Sequence, residues 1–147
     1  MLEIGQKAPD FTLPDKAGRQ ISLLDFKGQK VIIYFYSKDG TPVCTKQACS
    51  FRDAYIKFKK NGVVVIGISK DSVEEHMNFA RKNELPFILL ADTESEVIKA
   101  YSVKTALGTK RTTFVISREG MIEQVFEKAS AENNASDILK YLSSVHK

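Results

Sequence analysis

The stretch Val31-Ile-Ile-Tyr-Phe-Tyr36 is a continuous apolar run, and the chain passes from it directly into the polar stretch Ser37-Lys-Asp-Gly-Thr-Pro-Val-Cys44. A short run of β-branched and aromatic residues suits a strand that is buried on both faces. Residues 63–66 (VVVI) and 87–90 (FILL) have the same character. Because such strands usually belong to parallel or mixed sheets, the sequence predicts an α/β fold around a mixed central sheet flanked by helices.

Helix signals alternate with these strands. Ser72 and Glu75 have the spacing of a capping box, and Thr93 and Glu96 repeat it. A third helix is predicted at the C-terminal end of the chain. The apolar stripes of the three helices are predicted at Val73, Met77 and Ala80, at Val97 and Tyr101, and at Ile138, Leu142 and Val145.

Two hairpins complete the predicted order of elements. Residues 112–117 and 121–127 flank a short connection that contains Gly120, and a turn of that length favours a positive φ. Residues 11–13 and 20–22 flank a turn-rich segment near the start of the chain. The predicted order is therefore a hairpin, three strands that each precede a helix, a second hairpin and a final helix.

Composition limits the classes of function. The 147 residues include 43% hydrophobic residues and nine Phe, which is enough for one core, so we expect a single domain over residues 1–147. The net charge of +4 is spread thinly, and nucleic acid is not an expected partner. No apolar run approaches the roughly 20 residues of a membrane helix. No signal peptide of the usual type is visible, which favours a cytoplasmic location.

The polar stretch after residue 36 predicts a helix start with a cysteine in its first turn. Thr41 suits the N-cap and Pro42 the first helical position, so Cys44 falls at the third. Unpaired N–H groups and the helix dipole favour a thiolate there, whereas an ordinary cysteine has a pKa of about 8.5. Loops at the carboxyl ends of parallel strands also commonly carry function. Cys44 is thus a candidate nucleophile, and a small buried core residue is the alternative.

Cys49 follows on the same predicted helix. Five residues of α-helix separate two Cα atoms by roughly 8.6 Å, whereas a disulfide tolerates up to about 7 Å. If Cys44 and Cys49 bond, the helix must therefore unwind locally, so that oxidation and conformational change are one event. The alternatives are that Cys49 packs in the core, or that zinc binds, for which only His76 and His146 are available at unsuitable spacing.

Thr41-x-x-Cys44, a second cysteine at Cys49 and the following Phe51-Arg-Asp53 resemble a peroxiredoxin, most closely the bacterioferritin comigratory protein or peroxiredoxin Q subgroup. The resemblance extends over residues 5–13 (GQKAPDFTL), 65–69 (VIGIS) and 111–116 (RTTFVI). It implies a thioredoxin-like fold with an N-terminal β-hairpin extension, in which the strand after Arg111 runs antiparallel to the strand that ends at residue 36.

The resemblance also implies roles for four residues. Cys44 corresponds to the peroxidatic cysteine and Cys49 to the resolving cysteine, which together form an intramolecular disulfide. Thr41 corresponds to the hydroxyl that orients peroxide, and Arg111 to the activating cation. The implied substrates are hydrogen peroxide and organic hydroperoxides, and the implied reductant is thioredoxin or a similar dithiol protein. Neither a metal nor an organic cofactor is implied, and a monomer suffices because both cysteines lie in one chain.

Three positions depart from the family pattern. Ser37 stands where the family has proline, Gln47 where it commonly has glutamate, and Val43 where the subgroup often has glycine.

The residues leave two other functions open. A thioredoxin-type disulfide oxidoreductase normally has its cysteines in a C-x-x-C spacing. A non-catalytic redox-sensing or binding module would use oxidation of the helix to change a partner surface.

Overall fold

The computed structural model describes residues 2–106, 108–128 and 130–145. The β-strands are β1 (Thr12–Pro14), β2 (Gln20–Ser22), β3 (Lys30–Phe35), β4 (Val63–Ser69), β5 (Ile88–Ala91), β6 (Lys104–Thr105), β7 (Gly108–Thr109), β8 (Thr112–Ile116) and β9 (Ile122–Glu127). The helices are α1 (Pro42–Lys60), α2 (Val73–Asn83), α3 (Glu96–Ala100) and α4 (Asn134–Val145), with a short 3-10 helix at Leu23–Phe26. Within these ranges, no helix has the length and apolar composition needed to cross a membrane.

A five-stranded mixed sheet with the strand order β5-β4-β3-β8-β9 forms the centre of the structure. β3, β4 and β5 are mutually parallel, and β8 pairs antiparallel with both β3 and β9. This arrangement confirms the predicted α/β class and the thioredoxin-like order of elements. The carboxyl end of β3 and the start of β8 therefore lie side by side, with Phe35 opposite Thr112.

Both faces of the sheet are covered, which explains why β3 is apolar throughout. Ile32 and Tyr34 belong to the core beneath α1, α2 and α4, whereas Ile33 and Phe35 belong to the core beneath α3 and the N-terminal segment. All six residues of β3 are buried. Burial of its side chains on both faces makes β3 a rigid support for the loop that follows it.

A close contact between β3 and β4 determines how near α1 packs to the sheet. Tyr34 lies opposite Gly67 in the strand register, and a Cβ at Gly67 would lie 2.8 Å from Tyr34 Cζ. The Tyr34 ring stacks on Phe51 of α1, with ring centroids 4.6 Å apart. Glycine is therefore required at position 67 for the aromatic contact that seats α1.

Most predicted local signals are confirmed. Both hairpins form, and Gly120 has a φ of 85° in the β8–β9 turn. Ser72 caps α2: its hydroxyl accepts from the N–H of Glu75, and the Glu75 carboxylate accepts from the N–H of Ser72. The two-residue strands β6 and β7 and the short 3-10 helix are additional elements.

The predicted cap of α3 is wrong. Ser95, with a φ of 58°, is the N-cap of α3 instead of Thr93, which is exposed. The reason is that the buried carboxylate of Asp92 accepts the N–H of Ile98 at 2.8 Å and supplies the side-chain hydrogen bond to this short helix.

Two apolar stripes also differ from the predicted ones. Met77 is 39% exposed, and the inward face of α2 presents His76, Phe79 and Ala80. In α4, Ile138 and Leu142 are buried as predicted, whereas Val145 at the end of the helix is exposed. The shift in α2 buries an imidazole in the core.

Candidate active site

The candidate active site lies where β3 ends. Residues 37–41, called the 37–41 loop below, connect β3 to α1, and Thr41 and Pro42 occupy the N-cap and first helical positions as predicted. Cys44 is then the third helical residue, and it is 1% exposed. Its sulfur lies at the positive end of a helix of 19 residues, which favours a thiolate.

Hydrogen-bond donors surround the sulfur of Cys44. Arg111 Nη2 lies 3.2 Å from Cys44 Sγ, and Ser37 Oγ lies 3.4 Å from it. Burial raises the pKa of Cys44, but hydrogen bonds from the Lys38 backbone, Ser37 and Arg111 outweigh burial and lower the pKa to about 7. A large fraction of the thiol is therefore ionised near neutral pH.

Arg111 is held by a chain of buried polar side chains that the sequence does not predict. Its Nη1 donates to Gln47 Oε1, and Gln47 Nε2 donates to Asn134 Oδ1 at 3.2 Å. Thr113 Oγ1 donates to the same Asn134 oxygen at 2.8 Å. Because Gln47 is neutral, it orients the guanidinium without adding a negative charge beside Cys44. In the sequence, Gln47 is marked only as a departure from the family pattern, since its partner on α4 is distant along the chain.

Thr41 lies at the half-exposed edge of the site. Its hydroxyl donates to the carbonyl of Lys38 at 3.1 Å and makes no capping bond to α1. Val43, two residues further along, is 53% exposed, so its side chain can contact a molecule that approaches the site. The structure thus brings three of the four predicted site residues together: Cys44, Thr41 and Arg111.

Cys49, the fourth predicted residue, lies apart from them. Both cysteines are free thiols, and α1 is helical from Pro42 to Lys60 without a break between them. Cys49 is partly buried, with its Sγ 4.0 Å from Asn83 Oδ1 at the end of α2. Arg52 Nη1 donates to the carbonyl of the same Asn83 at 2.9 Å. In this reduced state, the sulfur of Cys44 and the sulfur of Cys49 contact different residues.

A second cluster of ionisable groups lies beneath the 37–41 loop. Asp39, Asp71 and His76 each offer one atom within 4.8 Å of the others, which is the spacing of a possible metal site. All three groups are already engaged in hydrogen bonds with one another or with Tyr36, Ser69 and Leu90. The cysteines do not belong to this cluster, and His146, the other histidine, lies outside the described residues. The sequence had suggested no role for His76 other than that of a zinc ligand.

Comparison with known proteins agrees with the resemblance in the sequence. A sequence model described as the AhpC/TSA family matches residues 4–125. The chain is 47% identical over 145 residues to peroxiredoxin Q of Sedum lineare, covering 96% of this chain and 78% of that protein. It is 40% identical over 149 residues to peroxiredoxin Bcp of Bacillus subtilis, covering 96% and 95%.

A solved structure gives the same result for the fold. The bacterioferritin comigratory protein of Xanthomonas campestris superposes with a TM-score of 0.93 and 30% sequence identity, covering 99% of this chain and 100% of that one. Fold, cysteines and relatives together define a thiol-dependent peroxidase of thioredoxin-like architecture. The chain belongs to the AhpC/TSA family and is a peroxiredoxin of the Bcp and peroxiredoxin Q group.

Proposed function

We propose that Cys44 is the nucleophile that attacks peroxide and that Thr41 and Arg111 complete the reacting site. The contact of 3.2 Å between Arg111 Nη2 and Cys44 Sγ is the observation on which the proposal chiefly depends. It places a permanent cation beside a thiol whose pKa is lowered to about 7. A nucleophile and a donor fixed at the reacting atom are the two requirements of a displacement at oxygen.

In the first step, the Cys44 thiolate attacks one oxygen of the peroxide. The S–O bond forms as the O–O bond breaks, and the electron pair leaves with the second oxygen as hydroxide or alkoxide, which takes up a proton. Arg111 stabilises the negative charge that develops, and the Thr41 hydroxyl turns from the Lys38 carbonyl to orient the peroxide. Cys44 is oxidised to a sulfenic acid, and the peroxide is reduced to water or to an alcohol.

In the second step, Cys49 resolves the sulfenic acid. Its thiolate attacks the sulfur of Cys44, so that the S–S bond forms, the S–O bond breaks and hydroxide leaves, which takes up a proton to become water. Roughly 8.6 Å separates the two Cα atoms on a continuous helix, which is beyond the reach of a disulfide. The first turns of α1 must therefore unwind after the sulfenic acid forms.

An external dithiol returns the disulfide to two thiols, and we assign this role to thioredoxin or a similar protein. The disulfide bridges a segment that prefers to be helical, so it is strained and open to exchange. This cycle needs a compartment that supplies reduced dithiols, and we propose the cytoplasm.

Both cysteines lie in α1 of one chain, and the cycle needs no second subunit. We propose a single-domain monomer, which one cooperative unfolding transition and a monomeric sedimentation coefficient would support.

Hydrogen peroxide and organic hydroperoxides are the proposed substrates. The mouth of the site carries the exposed Val43 beside the half-exposed Thr41, which gives an apolar contact to the alkyl part of a hydroperoxide. The bacterioferritin comigratory protein of Xanthomonas campestris, which shares this fold, has alkyl peroxide reduction activity. Nothing in the proposed cycle involves nucleic acid or a membrane.

The test is to mix the reduced protein anaerobically with one equivalent of hydrogen peroxide, and then to titrate thiols and measure the intact mass. We expect rapid loss of both thiols and a mass decrease of about 2 Da, for the two hydrogens lost on disulfide formation. Cys44→Ser should not react. Cys49→Ser should stop at the sulfenic acid, about 16 Da heavier than the thiol. Survival of both thiols in the native protein would overturn the proposal.

A further inference from the structure

The 37–41 loop is fastened to the rest of the protein through Asp39. The Asp39 side chain is 6% exposed, and its carboxylate accepts a hydrogen bond from the Tyr36 hydroxyl. The second carboxylate oxygen lies 2.6 Å from His76 Nδ1, and the His76 side chain is fully buried in α2. The mechanism proposed above gives no role to either residue.

The two partners of His76 show where its hydrogens lie, and hence what kind of hydrogen bond joins it to Asp39. His76 Nε2 lies 3.0 Å from the carbonyl of Leu90, which only accepts, so Nε2 carries a hydrogen. The 2.6 Å contact between Nδ1 and Asp39 then requires a second hydrogen between those two atoms. A charge-assisted hydrogen bond away from water is among the stronger contacts in a protein.

A second contact fixes the backbone of the same residue. The N–H of Asp39 donates to Asp71 Oδ2 at 2.9 Å, and the Asp71 carboxylate also accepts from the hydroxyl of Ser69. Ser69 is the last residue of β4, so the loop is tied both to the sheet and, through His76, to α2. Asp39 is therefore held by its backbone and its side chain at once.

Ser37 and Lys38, the two residues that precede Asp39, lie beside the sulfur of Cys44. Ser37 Oγ lies 3.4 Å from Cys44 Sγ, and hydrogen bonding by the Lys38 backbone is among the causes that lower the pKa of Cys44. Neither Lys38 nor Ser37 is buried, so packing does not hold them in place. Lys38 directly precedes Asp39, and Ser37 lies between Lys38 and the buried Tyr36, so a fixed Asp39 limits the directions that both residues can take.

We propose that Asp39 and His76 are positioning residues that hold the 37–41 loop so that the Lys38 N–H and the Ser37 hydroxyl face Cys44. The proposal rests on the role assigned to Cys44 above. Without the Asp39–His76 bond, the contact of the Asp39 N–H with Asp71 remains but the side-chain contact is lost, so the loop shifts away from α1 and the thiolate loses two of its donors, while Arg111 and the helix dipole stay in place. The expected consequence is a partial loss of thiolate stabilisation with the fold retained.

The test measures the thiolate directly, without peroxide. In a Cys49→Ser background, the rate of Cys44 alkylation by iodoacetamide is followed from pH 5 to pH 10. Asp39→Ala should displace the titration toward higher pH, so that alkylation at pH 6 is about tenfold slower. His76→Phe, which keeps an aromatic ring in the core, should act in the same direction, and it carries the test should Asp39→Ala fail to fold.

Asp39→Asn is the conservative variant that should restore the native profile. Its amide oxygen accepts from Tyr36, and its amide nitrogen donates to Nδ1 of a neutral His76 that keeps its bond to Leu90. The matched control is Asp15→Ala, which removes a buried carboxylate that accepts the N–H groups of Ala17 and Arg19 in another loop. Asp15→Ala should lower the melting temperature without moving the Cys44 profile.

Two results would overturn the proposal: an Asp39→Ala profile that matches the background, or one that Asp15→Ala reproduces, since the latter indicates general destabilisation. These outcomes are separate from failure of the proposed function. If the native protein reduces no peroxide while Asp39→Ala still displaces the alkylation profile, then Asp39 positions the loop of a reactive thiol that is not a peroxidase nucleophile.

Discussion

Arg111 Nη2 lies 3.2 Å from Cys44 Sγ, although the two residues are 67 positions apart in the chain. The antiparallel pairing of β3 with β8 creates this contact, since Cys44 follows the end of β3 and Arg111 precedes the start of β8. The sheet therefore sets the distance between the thiolate and its cation. The 37–41 loop supplies the remaining hydrogen-bond donors to the sulfur.

Replacing Arg111 by lysine should slow the reaction with hydrogen peroxide by about 10²-fold, the loss typical of one donor to a developing charge. Lysine keeps the charge but cannot hold Gln47 and Cys44 with two nitrogens at fixed geometry. Stopped-flow measurement of sulfenic acid formation tests this expectation. Arg118→Lys, at an exposed position in the β8–β9 turn, is the control and should react at the native rate.

The rate of peroxide reduction should follow the ionisation of Cys44. Because the Cys44 thiolate is the proposed nucleophile and its pKa is lowered to about 7, the rate should rise about tenfold from pH 5 to pH 6 and level off above about pH 8. An unperturbed cysteine would still gain rate up to about pH 9.5. A native profile with its midpoint near 8.5 would contradict the hydrogen-bond arrangement described above.

Gln47→Glu should raise the pKa of Cys44 and slow the reaction at pH 6. A carboxylate at this buried position faces Arg111 and adds a negative charge near the sulfur, which disfavours the thiolate. The pH dependence of iodoacetamide alkylation reports the change. Ile56→Glu puts a carboxylate on an exposed part of the same helix, 67% accessible in the native protein, and should leave the profile in place.

Gly67→Ala should destabilise the protein by about 1–3 kcal/mol, the usual range for overpacking. The added methyl group meets the Tyr34 ring, which stacks on Phe51 beneath the cysteine helix. Urea denaturation measures the loss. In a Tyr34→Leu background the same substitution should cost less, because the ring is absent. Equal costs in both backgrounds would show that the strain arises elsewhere.

Local signals in the sequence predicted the strands, the hairpins and the helix start with Cys44 in its first turn. Pro42 marks that start because its fixed φ suits the first helical position, and Thr41 occupies the N-cap as predicted, although its side chain makes no capping bond. The cap of α3 was predicted wrongly because the buried Asp92 replaces Thr93 in binding that helix. Here the position of a nearby carboxylate outweighed a capping pattern.

The polar contacts that orient the site could not be predicted in the same way. Gln47 meets Asn134 across 87 positions, and Asp39 meets His76 across 37. Neither pair has a spacing that marks it in the sequence, since only the packing of α4 and α2 on the sheet brings the partners together. His76 also interrupts an apolar stripe whose predicted member, Met77, is exposed. Periodicity predicts which side of a helix is buried only when that side is uniformly apolar.

The continuous helix through Cys44 and Cys49 links the conformational stability of α1 to the reduction potential of the pair. The oxidised protein must give up those helical turns. Any free energy that stabilises the helix in the reduced protein therefore makes formation of the disulfide less favourable by the same amount. By the relation between potential and free energy, about 1.4 kcal/mol of added helix stability makes the pair about 30 mV more oxidising. Substitutions far from either sulfur, on the exposed face of α1, therefore adjust how readily a dithiol donor reduces the protein.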